Sequence, residues 1–239
     1  MRATTAALLV AGLLAALALA GPSGAQDAGE QEAGPPALKV YGNPISSRGA
    51  MQELDKLPGG RCGRRFASRG KNMSVEVGRS TARCEYATPV VGRDLDIAVT
   101  AVLSKQTPRT RRKKIFVFVA LRVSGTVAYV LEVEPRNRRW FLRRTAPEGD
   151  DPTPRRRTFA QGKGKVVANT GRKNRLRMRV FGNELIAWIN GEVVARGSDP
   201  AFEAIDGRLS TFGIGSAANA SKAVGIFDNI VVQVPDPLL

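Results

Sequence analysis

Arginine recurs at every second position near the start of residues 174–196 (NRLRMRVFGNELIAWINGEVVAR), where Arg175, Arg177 and Arg179 alternate with Leu176, Met178 and Val180. A period of two is that of a β-strand, so the guanidinium groups share one face and the apolar side chains the other. Gly182-Asn183 and Asn190-Gly191 tolerate the positive φ angles of two-residue turns, which makes the stretch a three-stranded meander. Pairing across the first turn sets Arg177 opposite Trp188 and Arg179 opposite Ile186; pairing across the second brings Val193 beside Trp188. Trp188 therefore joins the arginine face. An indole beside a forked guanidinium can act as a plate for a sugar ring, with donors for its hydroxyls or carboxylate. The same pair suits a structural role, in which Trp188 fills space beneath a covering loop or helix and Arg177 stacks on it.

Glu132 and Glu134 alternate on one face of VLEVEP. Two carboxylates in a cleft can divide the roles of acid and base, or acid and nucleophile, in glycoside hydrolysis, which makes these two the candidate catalytic residues. In the hairpin around residues 135–138, however, Glu134 falls opposite Arg139, the arrangement of a cross-strand ion pair. The chain contains no histidine, so histidine-based triads and histidine metal sites are excluded. No glycine-rich phosphate loop occurs. Neither a metal nor a cofactor is expected.

The 37 basic residues outnumber 21 acidic ones, for a net charge of +16. The excess is concentrated: residues 61–179 hold thirty basic and nine acidic groups, and residues 180–239 hold three and seven. One side of the protein is thus expected to carry a positive field that attracts anionic wall polymers, acidic polysaccharide, phospholipid headgroups or nucleic acid. A compositional bias toward arginine, combined with ordinary solubility, produces the same balance. Two stretches, 106–114 (QTPRTRRKK) and 146–165 (APEGDDPTPRRRTFAQGKGK), are rich in Pro, Gly and charge and read as exposed, mobile loops. Their candidate polyanion contacts are Arg109, Arg111, Arg112, Arg155, Arg156 and Arg157, with a merely solvated surface as the plain alternative.

Arg2 precedes an apolar run at residues 6–20, and small residues follow it. That is the pattern of a secretory signal peptide; cleavage after Ala18-Leu19-Ala20 or after Ser23-Gly24-Ala25 satisfies the small-residue rule, and the peptide is taken as residues 1–25. The run is shorter than the roughly 20 apolar residues of a membrane span, and no later segment is apolar enough to cross, so export to the cell exterior without a retained span is expected. Residues 26–37 are polar and Gly/Pro-rich and read as a disordered lead-in, which leaves 38–239 as a single domain. Cys62 and Cys84 are the only cysteines. In an oxidising compartment they are expected to pair.

Beyond the meander, runs at 38–41, 73–77, 83–91, 95–103, 115–123, 127–134, 139–143, 210–214 and 226–234 read as strands separated by turn residues, while residues 43–69 offer one helical turn around Met51, Leu54 and Leu57. Helical spacing is absent over any long window. The reading is an all-β antiparallel sandwich. The succession KIFVFVALRVSG, AYVLEVEPRNRRWFL, the meander with its Asn190-Gly191 hairpin, GRLSTFGIG and the closing Phe227-Asp228-Asn229-Ile230 resembles the concanavalin A-like lectin/glucanase superfamily over residues 73–234. Within that superfamily it is similar to LamG-type jelly rolls and to the bacterial domain associated with 3-keto-disaccharide hydrolases. The resemblance implies a jelly-roll fold, and it includes laminarinase-like enzymes whose strand carries acidic groups at alternate positions. Arg136 stands where the third of those would be. LamG-type folds can bind calcium at loop carboxylates, so the resemblance brings Asp94, Asp96, Asp206 and Asp228 into view as ligands, although none has the spacing of an EF-hand.

The function expected from these readings is non-catalytic recognition of extracellular glycan or another anionic wall polymer, through Trp188, Arg175, Arg177 and Arg179. A hydrolase of sugar derivatives using Glu132 and Glu134 is one alternative. An inert structural or protein-binding module is another. Nucleic acid is not an expected partner, because the chain lacks an aromatic ladder and is exported.

Overall fold

The computed structural model describes residues 37–58, 62–67, 69–78, 83–108, 115–125, 127–148, 151–200, 205–216 and 223–235. In chain order the elements begin with β1 (Ala37–Asn43), helix α1 (Arg48–Gln52), β2 (Asp55–Lys56), β3 (Cys62–Ala67), β4 (Asn72–Val77), β5 (Arg83–Val91) and β6 (Leu95–Leu103). They continue with β7 (Ile115–Ser124), β8 (Val127–Glu134), β9 (Arg139–Glu148), β10 (Asp151–Lys163) and β11 (Asn174–Phe181). The last four are β12 (Glu184–Ile189), β13 (Glu192–Ser198), β14 (Leu209–Ser216) and β15 (Ala223–Pro235). Two antiparallel sheets result. The first runs β13-β12-β11-β6-β15-β4-β3, with β1 paired to β15; the second runs β10-β9-β8-β7-β14-β5-β2.

Alternation decides which side chains fill the space between the sheets. Leu176, Met178 and Val180 of β11 and Ile97 and Val99 of β6 meet Val117, Val119 and Leu121 of β7 and Tyr129, Leu131 and Val133 of β8 in one buried core. The meander forms as its turn residues dictate, with Gly182, Asn190 and Gly191 at φ 53°, 54° and 91°. Arg122, fully buried, ties the first of these turns to the second sheet: its guanidinium donates to the Gly182 carbonyl at 2.6 Å and pairs with Asp94 at 2.8 Å. A second interior ion pair joins Arg144 to Asp199 at 3.0 Å, and the Tyr129 hydroxyl donates to the same carboxylate at 2.8 Å. Burial, followed by that bond, pushes the Tyr129 hydroxyl well above its ordinary range.

The helical turn expected around Met51 is α1, capped by the Ser47 side chain, which accepts from the Ala50 N–H. Two expectations need correction. Most of the stretch read as a mobile loop over 146–165 is strand: β9 runs on to Glu148 and β10 occupies Asp151–Lys163. Pro152, Pro154 and three consecutive arginines suggested a loop, but β10 is an edge strand, where proline and charge are tolerated because one row of backbone groups has no partner. Likewise Cys62–Ala67, within residues 43–69 where only a helical turn is expected, is the edge strand β3, with alternating burial hidden by its Gly and Arg content. The signal peptide, nearly all of the lead-in and residues 109–114 lie outside the described residues; Ala37, assigned to the lead-in, opens β1. Among the described residues no helix is long and apolar enough to cross a membrane.

Cys62 and Cys84 form a disulfide, with Cα atoms 5.7 Å apart. The bond links β3 at the edge of the first sheet to β5 of the second. Closing a loop of 22 residues restricts the unfolded chain, so a Cys62→Ala/Cys84→Ala variant is expected to lose about 3 kcal/mol of stability in denaturant unfolding; an unchanged midpoint would contradict this. Asp199→Ala is expected to cost about 3–5 kcal/mol by removing the buried carboxylate that Arg144 pairs with, above the roughly 1.5–2 kcal/mol of Tyr129→Phe, which removes one hydrogen bond to that carboxylate. Equal losses in the two variants would show that the ion pair is not what holds this region.

Candidate functional site

The meander register agrees with the sequence reading: Arg177 pairs with Trp188, Arg179 with Ile186, and Trp188 with Val193. The arginine face is the outer face of the first sheet, and there the guanidinium groups are already partnered. Arg177 donates to Asp96 through Nε at 2.9 Å and Nη2 at 2.6 Å, and Arg179 donates to the same carboxylate at 3.0 Å. Arg177 lies 4.5 Å above the centroid of the Trp188 ring and Arg179 5.9 Å from it. Trp188 is half-buried, Arg175 is exposed, and Asp96 is buried. Asp96, from β6, thus neutralises two of the three arginines proposed as ligand contacts.

A second face emerges from the register of the other sheet. Every residue of β7 from Ile115 to Val123 is buried, so this strand is covered on both sides. Phe116, Phe118, Ala120 and Val123 point away from the main core and gather with Ala128 and Val130 in a separate apolar cluster on the outer face. Pairing then lays one row across the sheet: Glu85 of β5, Gly213 of β14, Phe118 of β7, Glu132 of β8, Phe141 of β9 and Gln161 of β10. Arg83 and Arg143 stand two residues to either side of the row on β5 and β9, with Thr211 of β14 in the row of Arg143.

Glycine on β14 shapes this face. A Cβ at Gly213 would sit 2.0 Å from the Cys84 carbonyl oxygen and 2.9 Å from the Phe118 ring. With Gly213 and Gly215 on the strand between them, the Arg83 side chain of β5 crosses β14 and places its guanidinium 3.8 Å above the Phe118 ring. Glu85 pairs with Arg83 at 2.9 Å and accepts from the Thr211 hydroxyl. Glu132, 4% exposed, lies between Arg143, 3.1 Å away, and Arg156. Arg143 and Arg139 flank the Phe141 ring at 4.1 and 4.9 Å.

Burial raises the Glu132 carboxyl above its usual range; the charges of Arg156, Arg143 and Arg83 oppose the shift, in that order of strength. Desolvation likewise lowers Arg83 and Arg143, against the pull of the neighbouring carboxylates. The Nε–H groups of both arginines are buried and have no hydrogen-bond acceptor among the described residues. What the cluster offers chemically is a set of cations with donors to spare, laid over aromatic rings.

The other sequence candidates distribute as follows. Glu134 lies opposite Arg139 in register, but the expected ion pair is not formed between them; the Glu134 carboxylate accepts from Asn137 at 2.8 Å instead. Arg155, Arg156 and Arg157 are exposed on β10. Of these Arg156 reaches Glu132, while Arg157 lies 5.7 Å from the Phe159 ring. Arg109, Arg111 and Arg112 lie outside the described residues. Asp94 and Asp96, weighed as calcium ligands, are bonded to arginines. Sequence reasoning passed over Arg83, Glu85, Phe118, Phe141 and Arg143. Their signal was the alternation of Arg139, Phe141 and Arg143 against Trp140 and Leu142, which places two guanidinium groups and a ring on one face of β9.

No family model matches the chain, and no curated protein matches it. Solved structures do. The carbohydrate binding module CBM66 from Bacillus subtilis superimposes with a TM-score of 0.54 at 10% identity, covering 76% of this chain and 95% of the module. The kappa-carrageenase from Pseudoalteromonas carrageenovora, solved with an oligotetrasaccharide of kappa-carrageenan, gives 0.60 at 8% identity over 88% and 99%. A prokaryotic β-1,3-1,4-glucanase derived from a mouse hindgut metagenome gives 0.55 at 13% identity over 82% and 99%. At such identities the likeness concerns the fold alone, and that fold is the concanavalin A-like jelly-roll sandwich.

A carboxyl whose folded pKa is raised binds its proton more tightly in the fold than in the unfolded chain. Glu132 therefore contributes stability that is present at acidic pH and is lost as pH rises through its raised folded pKa. Thermal melts of wild type and Glu132→Gln across pH should show the wild type gaining on the variant as pH falls. A wild-type advantage that grows with rising pH would contradict the assignment.

Proposed function

We propose that the protein is an exported, non-catalytic recognition module that binds extracellular glycan across the outer face of the second sheet. The observation that carries the reading is the clasp on Glu132: a buried carboxylate held between Arg143 and Arg156, beside a third guanidinium lying over Phe118. A carboxylate engaged by two cations is a poor proton shuttle, and Glu134, bonded to Asn137, does not face it as a free partner. The exposed polar groups around the clasp, among them Gln161 and Thr158 of β10, supply donors and acceptors for hydroxyls. The likeness in fold to a carbohydrate binding module and to glycan hydrolases supports a sugar ligand, and the disulfide together with the expected signal peptide supports a site outside the cell.

One observation favours hydrolysis as the second reading. Burial raises the Glu132 carboxyl in the direction a general acid needs.

A binding titration against a panel of immobilised polysaccharides, run beside an assay for released reducing ends, separates the readings. Arg156→Ala is expected to weaken binding about tenfold, the loss of one charge-assisted hydrogen bond of roughly 1.5 kcal/mol. Trp188→Ala should leave binding nearly unchanged, and no reducing ends should appear. Sugar release that disappears in Glu132→Gln would replace the binding module with the hydrolase.

A further inference from the structure

Resting on the reading of the second sheet as the glycan-binding face, we propose that this face selects glycans carrying an oxyanion, a uronate carboxylate or a sulfate ester, and that Arg83 and Arg143 seat it through their Nε–H groups. Both groups are buried and lack an acceptor among the described residues, while the outer parts of both side chains are exposed, so an incoming oxyanion reaches the Nε–H groups by shifting those exposed ends. Leaving a charged donor buried and unpaired is unfavourable, so native proteins rarely keep one without a ligand, ion or water to fill it. Here two such donors flank one carboxylate. Arg143 is bonded to Glu132, and Arg83 lies over Phe118, the side chain next to Glu132 in register, close enough for its charge to bear on that carboxyl.

The charge balance points the same way. Arg83, Arg139, Arg143, Arg156 and Lys163 face outward on β5, β9 and β10, against Asp55 of β2 and Glu85, Glu132 and Glu134. Five cations against four carboxylates leave the face with a surplus of positive charge. A neutral hydroxyl could accept from an Nε–H, but it brings a proton that needs its own acceptor and leaves the surplus charge in place. A carboxylate or sulfate oxygen brings only lone pairs and meets the planar edge of a guanidinium in the fork geometry that suits it.

The test compares each acidic polymer with its uncharged counterpart: polygalacturonate with its methyl ester, and dextran sulfate with dextran. Wild type is set beside Arg83→Lys, Arg143→Lys and, as a control, Arg172→Lys, an exposed position in the loop before β11 whose neighbour Gly171 bonds to Leu103 of β6 in the first sheet. Each substitution keeps the positive charge, so the general attraction of a basic protein to a polyanion is preserved. What the first two lose is the Nε–H donor and the planar fork. Wild type is expected to prefer at least one acidic polymer over its neutral partner by about tenfold or more, with Arg83→Lys and Arg143→Lys losing that preference and Arg172→Lys keeping it. Which pair shows the preference tells carboxylate from sulfate. Thermal melts matching wild type confirm that the lysine variants are folded; if one fails to fold, the other carries the comparison.

Equal binding of acidic and neutral polymers would overturn the oxyanion seat and leave glycan recognition standing. A preference that survives in both lysine variants would reduce it to net charge. Absence of binding to all four polymers would overturn both proposals.

Discussion

A carboxylate withdrawn from water has to be met by cations or give up its charge, and Glu132 meets that requirement with arginines drawn from β9 and β10. The arrangement is possible because β7 and β8 are buried on both faces. The apolar cluster of Phe116, Phe118, Ala120 and Val130 dries the outer surface of the sheet around Glu132, and the drier the surroundings, the stronger the hold of Arg143 and Arg156. Gly213 belongs to the same construction. Any side chain there would run into the Cys84 carbonyl and the Phe118 ring over which Arg83 lies.

The first sheet uses the same device to a different end. Asp96 is buried between Arg177 and Arg179 as Glu132 is between Arg143 and Arg156, and Trp188 lies beneath Arg177 as Phe141 lies beneath Arg143. On that sheet a single aspartate engages both arginines, Arg177 through two nitrogens, and no guanidinium nitrogen of the pair is left buried without an acceptor. On the outer face of the second sheet the Nε–H groups of Arg83 and Arg143 remain, among the described residues. That difference in residual hydrogen-bonding capacity, rather than the presence of aromatic and basic residues, distinguishes the face proposed to take a ligand from the face that satisfies itself. The fold alone makes no such distinction, since one sandwich architecture hosts many activities.

How far the sequence could be read follows from the range of the interactions. The meander register was legible down to the Arg177–Trp188 pair because two glycine-containing turns and a period of two fix it locally. The bounds of β5, β6 and β8 were equally open, each a run of apolar or β-branched residues between turn signals. Asp96 as the partner of Arg177 was not, because it comes from β6, 81 residues earlier in the chain. Arg156 as the partner of Glu132 was hidden twice over. Its segment reads as loop from its prolines and charge, and register shifts within β10 change which of its residues face outward. Burial on both faces of β7 also escapes a single sequence, since a continuous apolar run does not say what covers each side.

The most direct measurement is of the arginine Nε–Hε resonances in a ¹⁵N-labelled sample, assigned by single Arg→Lys substitutions and followed as a short oligogalacturonate is added. The Arg83 and Arg143 signals are expected to shift and to gain protection from exchange with water, while that of Arg177, bonded to Asp96, stays in place. Shifts at Arg177 and at the Trp188 indole, with Arg83 and Arg143 unmoved, would put the ligand on the first sheet and contradict the assignment of the second as the binding face.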